Sequence, residues 1–491
     1  MENKEEHRVY TLGTRPARTG VAGLSMKATY VGIAAFAMGI LALASQQWTV
    51  AFIIIGIAAV FIAATSISWG GRSVAERIQM SLQIAKRRFD RTDMYVSGPD
   101  SPLPGGAFQL PGMSAVTELI ESVDAEGRPF GVILDVRGRK ATVCLRVNLS
   151  GDVPRTLEER YEVTDRYGGW LASLSLSNDI DSAVTVVATR PATGSLIHRE
   201  VEHLESPEGS PVAIEVCRQT ADMLGHNVPE IETHTALTFN VKMSSPSDRD
   251  FLNQIVYRLP SIYRGLAWAG MDAVPMTAEQ ITARALTFNY PNTESAVEHL
   301  EVTGGTHGVR WEDAGPSVGV DMGDHYFHDG CRSVSWEMQD APAATFEEGN
   351  LQPLLRPHPR IDRKRIVLIY RPYEASEGTK RVEKEWIDAR NELTGQRARA
   401  KGRSEIREEQ TNAARRSLAR GAQLGRHSLM VTATVGYDAD LNALEADITE
   451  LAGQSNIRLQ RMVGWQDAGF DISRGLGQLP WTKATTLSAI Q

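Results

Sequence analysis

Two uncharged apolar runs lie close together near the start of the chain. They constrain the fold more than any other feature. The first covers residues 28–44 (ATYVGIAAFAMGILALA) and the second 50–67 (VAFIIIGIAAVFIAATSI), with Ser45-Gln46-Gln47-Trp48-Thr49 between them. Each is near the length that crosses a hydrocarbon layer, about 17–25 residues. The pair is therefore expected to form a two-helix transmembrane hairpin over 28–68. No small-residue cleavage site separates the runs, which argues against a signal peptide. A buried hairpin in a soluble domain is the competing reading. It is disfavoured because two consecutive uncharged runs of this length are rare in such domains.

The flanking charges set an orientation. Arg8, Arg15, Arg18 and Lys27 precede the hairpin, and Arg72, Arg77, Lys86, Arg87, Arg88 and Arg91 follow it. The connecting turn has neither Lys nor Arg. The positive-inside rule then places both termini in the cytoplasm, with 1–27 as a cytoplasmic segment and the protein as a two-pass protein of the cell membrane. Trp48 and Trp69 stand where interfacial anchors belong. Ala35 and Gly39, four apart, allow close helix packing, although such residues are common in apolar helices generally. Over 72–95 the positions Val74, Ile78, Leu82, Ala85 and Phe89 recur at helical spacing opposite a basic face. That pattern reads as an amphipathic helix on anionic membrane lipids, or equally as a helix packed on the following domain.

The rest of the chain reads as mixed α+β. Residues 96–114 are rich in Gly, Pro and Ser and form a linker. FGVILDV (130–136), the turn RGRK and ATVCLRV (141–147) predict a β-hairpin. Strands and helices then alternate irregularly across 115–345, a cytoplasmic α+β domain. A second α+β block spans 351–491. It opens on the strong strand RIVLIYRPY (365–373), and its residues 374–421 form a long charged helical segment. The expected fold class is thus a membrane-anchored α+β protein without a phosphate-loop motor domain.

Composition narrows the function. With 491 residues the chain holds several domains, and its formal net charge of -8 excludes a nucleic-acid-binding polycation. Cys144, Cys217 and Cys331 are odd in number and far apart, which excludes a disulfide framework. There is no GxxxxGK[ST], HExxH, GxSxG or kinase signature. The best chemical cluster is Asp324-His325-Tyr326-Phe327-His328-Asp329-Gly330-Cys331. Imidazole, thiolate and carboxylate are all zinc ligands, so His325, His328 and Asp329 are metal candidates. The Asp-Gly pair instead suggests a strand entering a turn, which places the two histidines on opposite faces. The spacing matches no strong zinc pattern, so neither a metal nor a cofactor is assigned. Arg397, Arg399 and Arg403 are candidate partner-binding residues. The interleaved Glu405, Glu408 and Glu409 argue against a pure phosphate-binding stripe.

Several motifs occur in order along the chain: GGRSVAERI after the hairpin, LPG (110–112), GRPFGVI (127–133), GGWLASL (168–174) and LTF (237–239). WEDAGPS (311–317), DHYFHDG (324–330), LLRPHPRIDRKRIVLIYRPY (354–373) and LMVTATV (429–435) follow. With these motifs the chain resembles a family of actinobacterial membrane proteins of conjugative, type IV secretion-like systems. Members join a PrgI-like transmembrane hairpin to a region similar to the N-terminal, non-ATPase part of conjugative-transfer ATPases. The resemblance implies a non-enzymatic structural component of a DNA-transfer channel. Its implied partners are a separate hexameric ATPase and other channel membrane subunits; homo-oligomerisation is expected, because a two-helix hairpin makes no pore alone, and direct DNA contact is left open. It also implies a split arrangement, in which the chain stops near where related ATPases continue into their motor domain. The alternatives are a membrane component of a type VII-like export machine and a membrane-bound metalloenzyme.

Overall fold

A computed structural model describes residues 26–481 apart from 67, 70–71, 99–100, 102–109, 149–154, 207, 226–228, 244, 246–247, 340–346, 348 and 396–400. The described residues fall into two compact units, a smaller one over 26–93 with 339 and a larger one over 94–338 and 347–481.

The smaller unit holds α1 (Met26–Ala44), α2 (Trp48–Ser66), the two-residue strands β1 (Ser68–Trp69) and β2 (Arg72–Ser73), and α3 (Val74–Phe89). α1 and α2 run antiparallel, since Gly32 lies against Ile62 and Gly39 against Ile55. Their shared seam is made of small residues: Ala35, Gly39, Ala42 and Ala58 are buried. On α3, Ile78, Leu82 and Phe89 are exposed, and Lys86, Arg87 and Arg88 fill the last turn.

The expectation of a transmembrane hairpin is corrected here. Among the described residues no helix is long and apolar enough to cross a membrane. Each helix of the pair has 19 residues. At 1.5 Å per residue that is about 28 Å, against about 30 Å of hydrocarbon. Polar residues also fall in the end turns: Lys27 in α1, and Thr49, Thr65 and Ser66 in α2. The membrane-anchored fold class and the two-pass placement with cytoplasmic termini fall with the hairpin. So do the anchoring roles of Trp48 and Trp69. Trp48 opens α2 and is exposed. Trp69 lies in β1, with its side chain outside the described part.

The larger unit begins with β3 (Met94–Val96), β4 (Thr117–Val123), β5 (Pro129–Asp135) and β6 (Lys140–Asn148), then α4 (Leu157–Ser175) and β7 (Ile180–Pro191). Next come α5 (Ser195–Leu204), α6 (Pro211–Gly225), β8 (Pro229–Asn240), α7 (Phe251–Trp268), β9 (Asp272–Pro275), α8 (Ala278–Asn289) and α9 (Glu294–Thr303). β10 (Val318–Asp321), β11 (Tyr326–His328), β12 (Cys331–Met338), α10 (Gln352–Leu355) and β13 (Arg363–Pro372) follow. The unit closes with α11 (Ala375–Gly395), α12 (Lys401–Ala419), β14 (Gly425–Gly436), α13 (Leu441–Gln454), β15 (Leu459–Arg461) and α14 (Gln466–Ser473).

Among the described residues 13 strands form one antiparallel sheet, in the order β3-β10-β11-β12-β14-β13-β7-β8-β6-β5-β4, with β15 beside β12 and β9 beside β6. β13 and β14, from the 351–491 block, insert between β12 and β7 of the 115–345 block, so both segments build the same sheet. Helices cover both faces, which explains the near-continuous apolar runs of the central strands. Alternate residues serve opposite cores. Val132, Leu134, Val143 and Leu145 pack with Trp170, Leu259 and Leu266 of α4 and α7. Ile133 and Cys144 pack with Ile281 of α8 and Ile472 of α14 on the other side. A third core joins Val334, Ile366 and Val431 to Leu444 and Ile448 of α13. Capping boxes start α4 (Thr156 with Glu159) and α8 (Thr277 with Gln280). α8 crosses β5 so closely that a Cβ on Gly131 would lie 2.9 Å from the Ala278 backbone.

Candidate functional site

The Asp324–Cys331 segment is a tight hairpin. Asp329 and Gly330 both take positive φ, 42° and 83°, and His328 pairs with Cys331 across them. This is the two-residue turn that matches strand twist and favours Asp-Gly. His328 is fully buried, and both ring nitrogens are engaged: Nδ1 with Asn289 O at 2.8 Å and Nε2 with Ser333 Oγ at 2.8 Å. The carbonyl can only accept, so Nδ1 carries the proton and Nε2 accepts from the Ser333 hydroxyl. Ser333 in turn meets Thr434 Oγ1 at 2.7 Å. A directed chain Thr434 to Ser333 to His328 to Asn289 results. Burial pushes the His328 pKa down to about 4, against the Asn289 carbonyl bond that favours the charged form.

The other candidates point elsewhere. The Asp329 carboxylate accepts backbone N–H groups of Ser317 and Val318, at 2.8 and 3.1 Å, and so pins the start of β10. His325 Nδ1 lies 2.8 Å from its neighbour Asp324. The three metal candidates therefore do not converge. Among the described residues no group of three His, Cys, Asp or Glu side chains is placed to hold an ion. Two further histidines are committed in the same way. His234 is buried, its Nε2 donating to Arg474 O at 3.0 Å. His307 donates from Nε2 to Glu279 O and accepts the Val309 N–H at Nδ1.

Charge in the large unit is organised as internal fasteners. Arg190 of β7 meets Glu230 and Glu232 of β8 at 2.9 and 2.8 Å, and Glu294 and Glu298 of α9 at 3.1 and 3.0 Å. Arg284 of α8 also binds Glu232, and Arg363 of β13 also binds Glu294. One guanidinium thus ties two strands to a helix, and its carboxylates tie in two more elements. Nothing in this set presents a nucleophile beside a free base.

The outward-facing feature is a two-helix arm. β13 and β14 are neighbours in the sheet, paired down to Pro372 opposite Gly425, and Tyr373 N–H still donates to Leu424 O at 3.0 Å. The chain leaves at Glu374 and returns at Gln423, so α11 and α12 go out and come back. At 21 residues α11 is about 31 Å long. Trp386 ties the two helices together. The Arg415 guanidinium lies 4.3 Å and that of Arg390 5.2 Å from its ring centroid, and its Nε1 donates to Glu408 at 3.3 Å. Arg397 and Arg399 lie outside the described residues, and Arg403 lies in α12 with its side chain outside the description. Sequence reasoning passed over Trp386. The signal was there: a lone tryptophan in a charged helical run has a reason to be ordered.

No protein-family model and no curated protein matches the chain.

Proposed function

We propose that this chain is a non-catalytic structural component of a conjugative, type IV secretion-like translocation apparatus, docking a separate hexameric ATPase through the α11–α12 arm. The arm carries this reading. It is a charged helical insertion between two central strands whose ends already meet, so the sheet does not need it to close. An element that its own fold does not require is most simply explained by a partner. Support also comes from the commitment of His328 and Arg190 to internal bonds. The motif order of the resemblance adds to it, since those motifs fall mostly on sheet strands and their flanks. Assembly as a homo-oligomer around the ATPase, next to other channel subunits, belongs to the same proposal.

The test replaces residues 374–423 with Asn-Gly, a two-residue turn suited to joining Tyr373 to Leu424. The shortened chain is expected to unfold within about 3 °C of the full chain, because no core residue of the sheet is removed. Tagged full-length chain should capture a phosphate-loop ATPase from the same gene cluster, and the shortened chain should not. Equal capture by both moves the dock off the arm. Failure of the full chain to capture any such ATPase overturns the function itself.

A further inference from the structure

Strand β13 places three consecutive cations, Arg363, Lys364 and Arg365, in the middle of the sheet. Alternation sends Arg363 and Arg365 to one face and Lys364 to the other. Two of them have clear partners: Arg363 binds Glu294, and Lys364 Nζ donates to Arg356 O at 2.7 Å. Arg365 differs. It is 5% exposed, and its guanidinium lies 4.7 Å from the Phe288 ring centroid and 4.6 Å from that of Phe470. The ring faces engage its plane but offer its N–H groups no acceptor. Nη2 has no hydrogen-bond partner among the described residues. The charges that bear on Arg365 are cationic, from Arg474 and Arg363. A buried charge without a counter-ion is costly by several kcal/mol.

Arg365 lines a cavity of about 30 Å³. That exceeds the roughly 10–15 Å³ needed for one water-sized occupant. Arg190 lines the same cavity, and its Nε also lacks a hydrogen-bond partner. Glu232 and Glu294 reach the wall too, but their carboxylates are taken by Arg190, Arg284 and Arg363. Two arginines, each with an N–H group that lacks an acceptor among the described residues, thus line one small cavity bordered by β7, β13 and α8.

We propose that this cavity is a binding site for one small monovalent anion of chloride size, accepting hydrogen bonds from Arg365 Nη2 and Arg190 Nε. Its volume excludes nucleotides, phosphopeptides and carboxylate metabolites. The occupant joins β13 to β7 and α8 across the seam between the two chain segments, so it acts on stability.

The experiment is thermal unfolding of the whole chain dialysed into sodium gluconate, with sodium chloride or bromide replacing gluconate at fixed ionic strength. The expected result is a saturable rise of about 2 °C with either halide. Arg365→Met, which keeps the bulk between the two rings, should abolish the rise. Should that variant fail to fold, the ³⁵Cl NMR line width of the wild-type protein decides: excess broadening displaced by bromide supports the site. A wild-type melting temperature indifferent to chloride, or full chloride dependence in Arg365→Met, overturns it.

Discussion

α1 and α2 close on a seam of small residues, Ala35, Gly39, Ala42 and Ala58, while Phe36, Leu41, Phe52 and Val60 stay exposed. α11 and α12 do the reverse. Val382 and Ala389 are buried, and the exterior carries charge such as Glu383, Lys384 and Asp388. Both pairs go out and back over about the same length. In the second, polarity separates inside from outside. In the first, both sides are apolar and only side-chain size separates them. The same helix-pair geometry can therefore be specified by size alone, which hydrophobic periodicity does not detect.

The largest effect should come from breaking the size code. Gly39→Leu forces bulk against Ile55, which already lies 3.7 Å from an added Cβ. Overpacking of this kind costs about 1–3 kcal/mol. Amide exchange along α1 and α2 should quicken by about 5- to 150-fold. Gly56 has nothing within 4 Å of an added Cβ, so Gly56→Ala should instead slow exchange, through a gain of up to about 1 kcal/mol in helix propensity. Similar responses from the two variants would refute the size code.

In the arm, Trp386→Ala removes two cation–π contacts and the Glu408 bond. A loss of about 1 kcal/mol is expected, confined to exchange in α11 and α12. If exchange in β13 and β14 rises as much, the arm is not independent of the sheet.

A third helix pair, α5 with α6, sharpens the contrast because a titratable clasp joins it. Both ring nitrogens of His198 face acceptors, Asp222 Oδ1 at 2.7 Å and Gly194 O at 2.8 Å, an arrangement that only the imidazolium satisfies. The Asp222 bond, then the Gly194 carbonyl, raise its pKa above the ordinary 6.5. Because the folded value is the higher one, the clasp is fully formed below pH 6.5 and is lost as pH rises through the folded pKa. Glu202 adds to the shift. The NMR titration midpoint of His198 should lie above 6.5 and fall in Asp222→Asn. A midpoint at or below 6.5 removes the clasp. The smallest effect is expected for Arg415→Ala read through its Glu383 pair. Both partners are more than two-fifths exposed, and loss of that pair alone should cost about 0.5 kcal/mol or less. The double variant Glu383→Ala/Arg415→Ala separates this term from the Trp386 contact.

Legibility in the sequence followed the range of the interaction. The β5–β6 hairpin could be read from FGVILDV, RGRK and ATVCLRV because its turn and alternation are local. The Asp329-Gly330 turn was visible for the same reason. The neighbours of β13 were not, because the arm separates Pro372 from Gly425 in sequence while the sheet brings them together. Arg365 opens the strand read over 365–373, and nothing near it or near Arg474 in the sequence announces that both are buried. No local pattern signals a cation that packs between Phe288 and Phe470, since those rings arrive from α8 and α14. The apolar runs 28–44 and 50–67 were legible as helices, and their role was misassigned on length and charge alone.

The position of β13 also sets an order of events during synthesis. β7 pairs with β13 across a separation of 175 residues at Thr189 and Lys364. At about 5–20 residues per second, one edge of β7 waits roughly 9–35 s for its permanent neighbour. During that interval the nascent chain carries an open, hydrophobic strand edge, so chaperone occupancy should peak after β8 emerges and drop once β13 does.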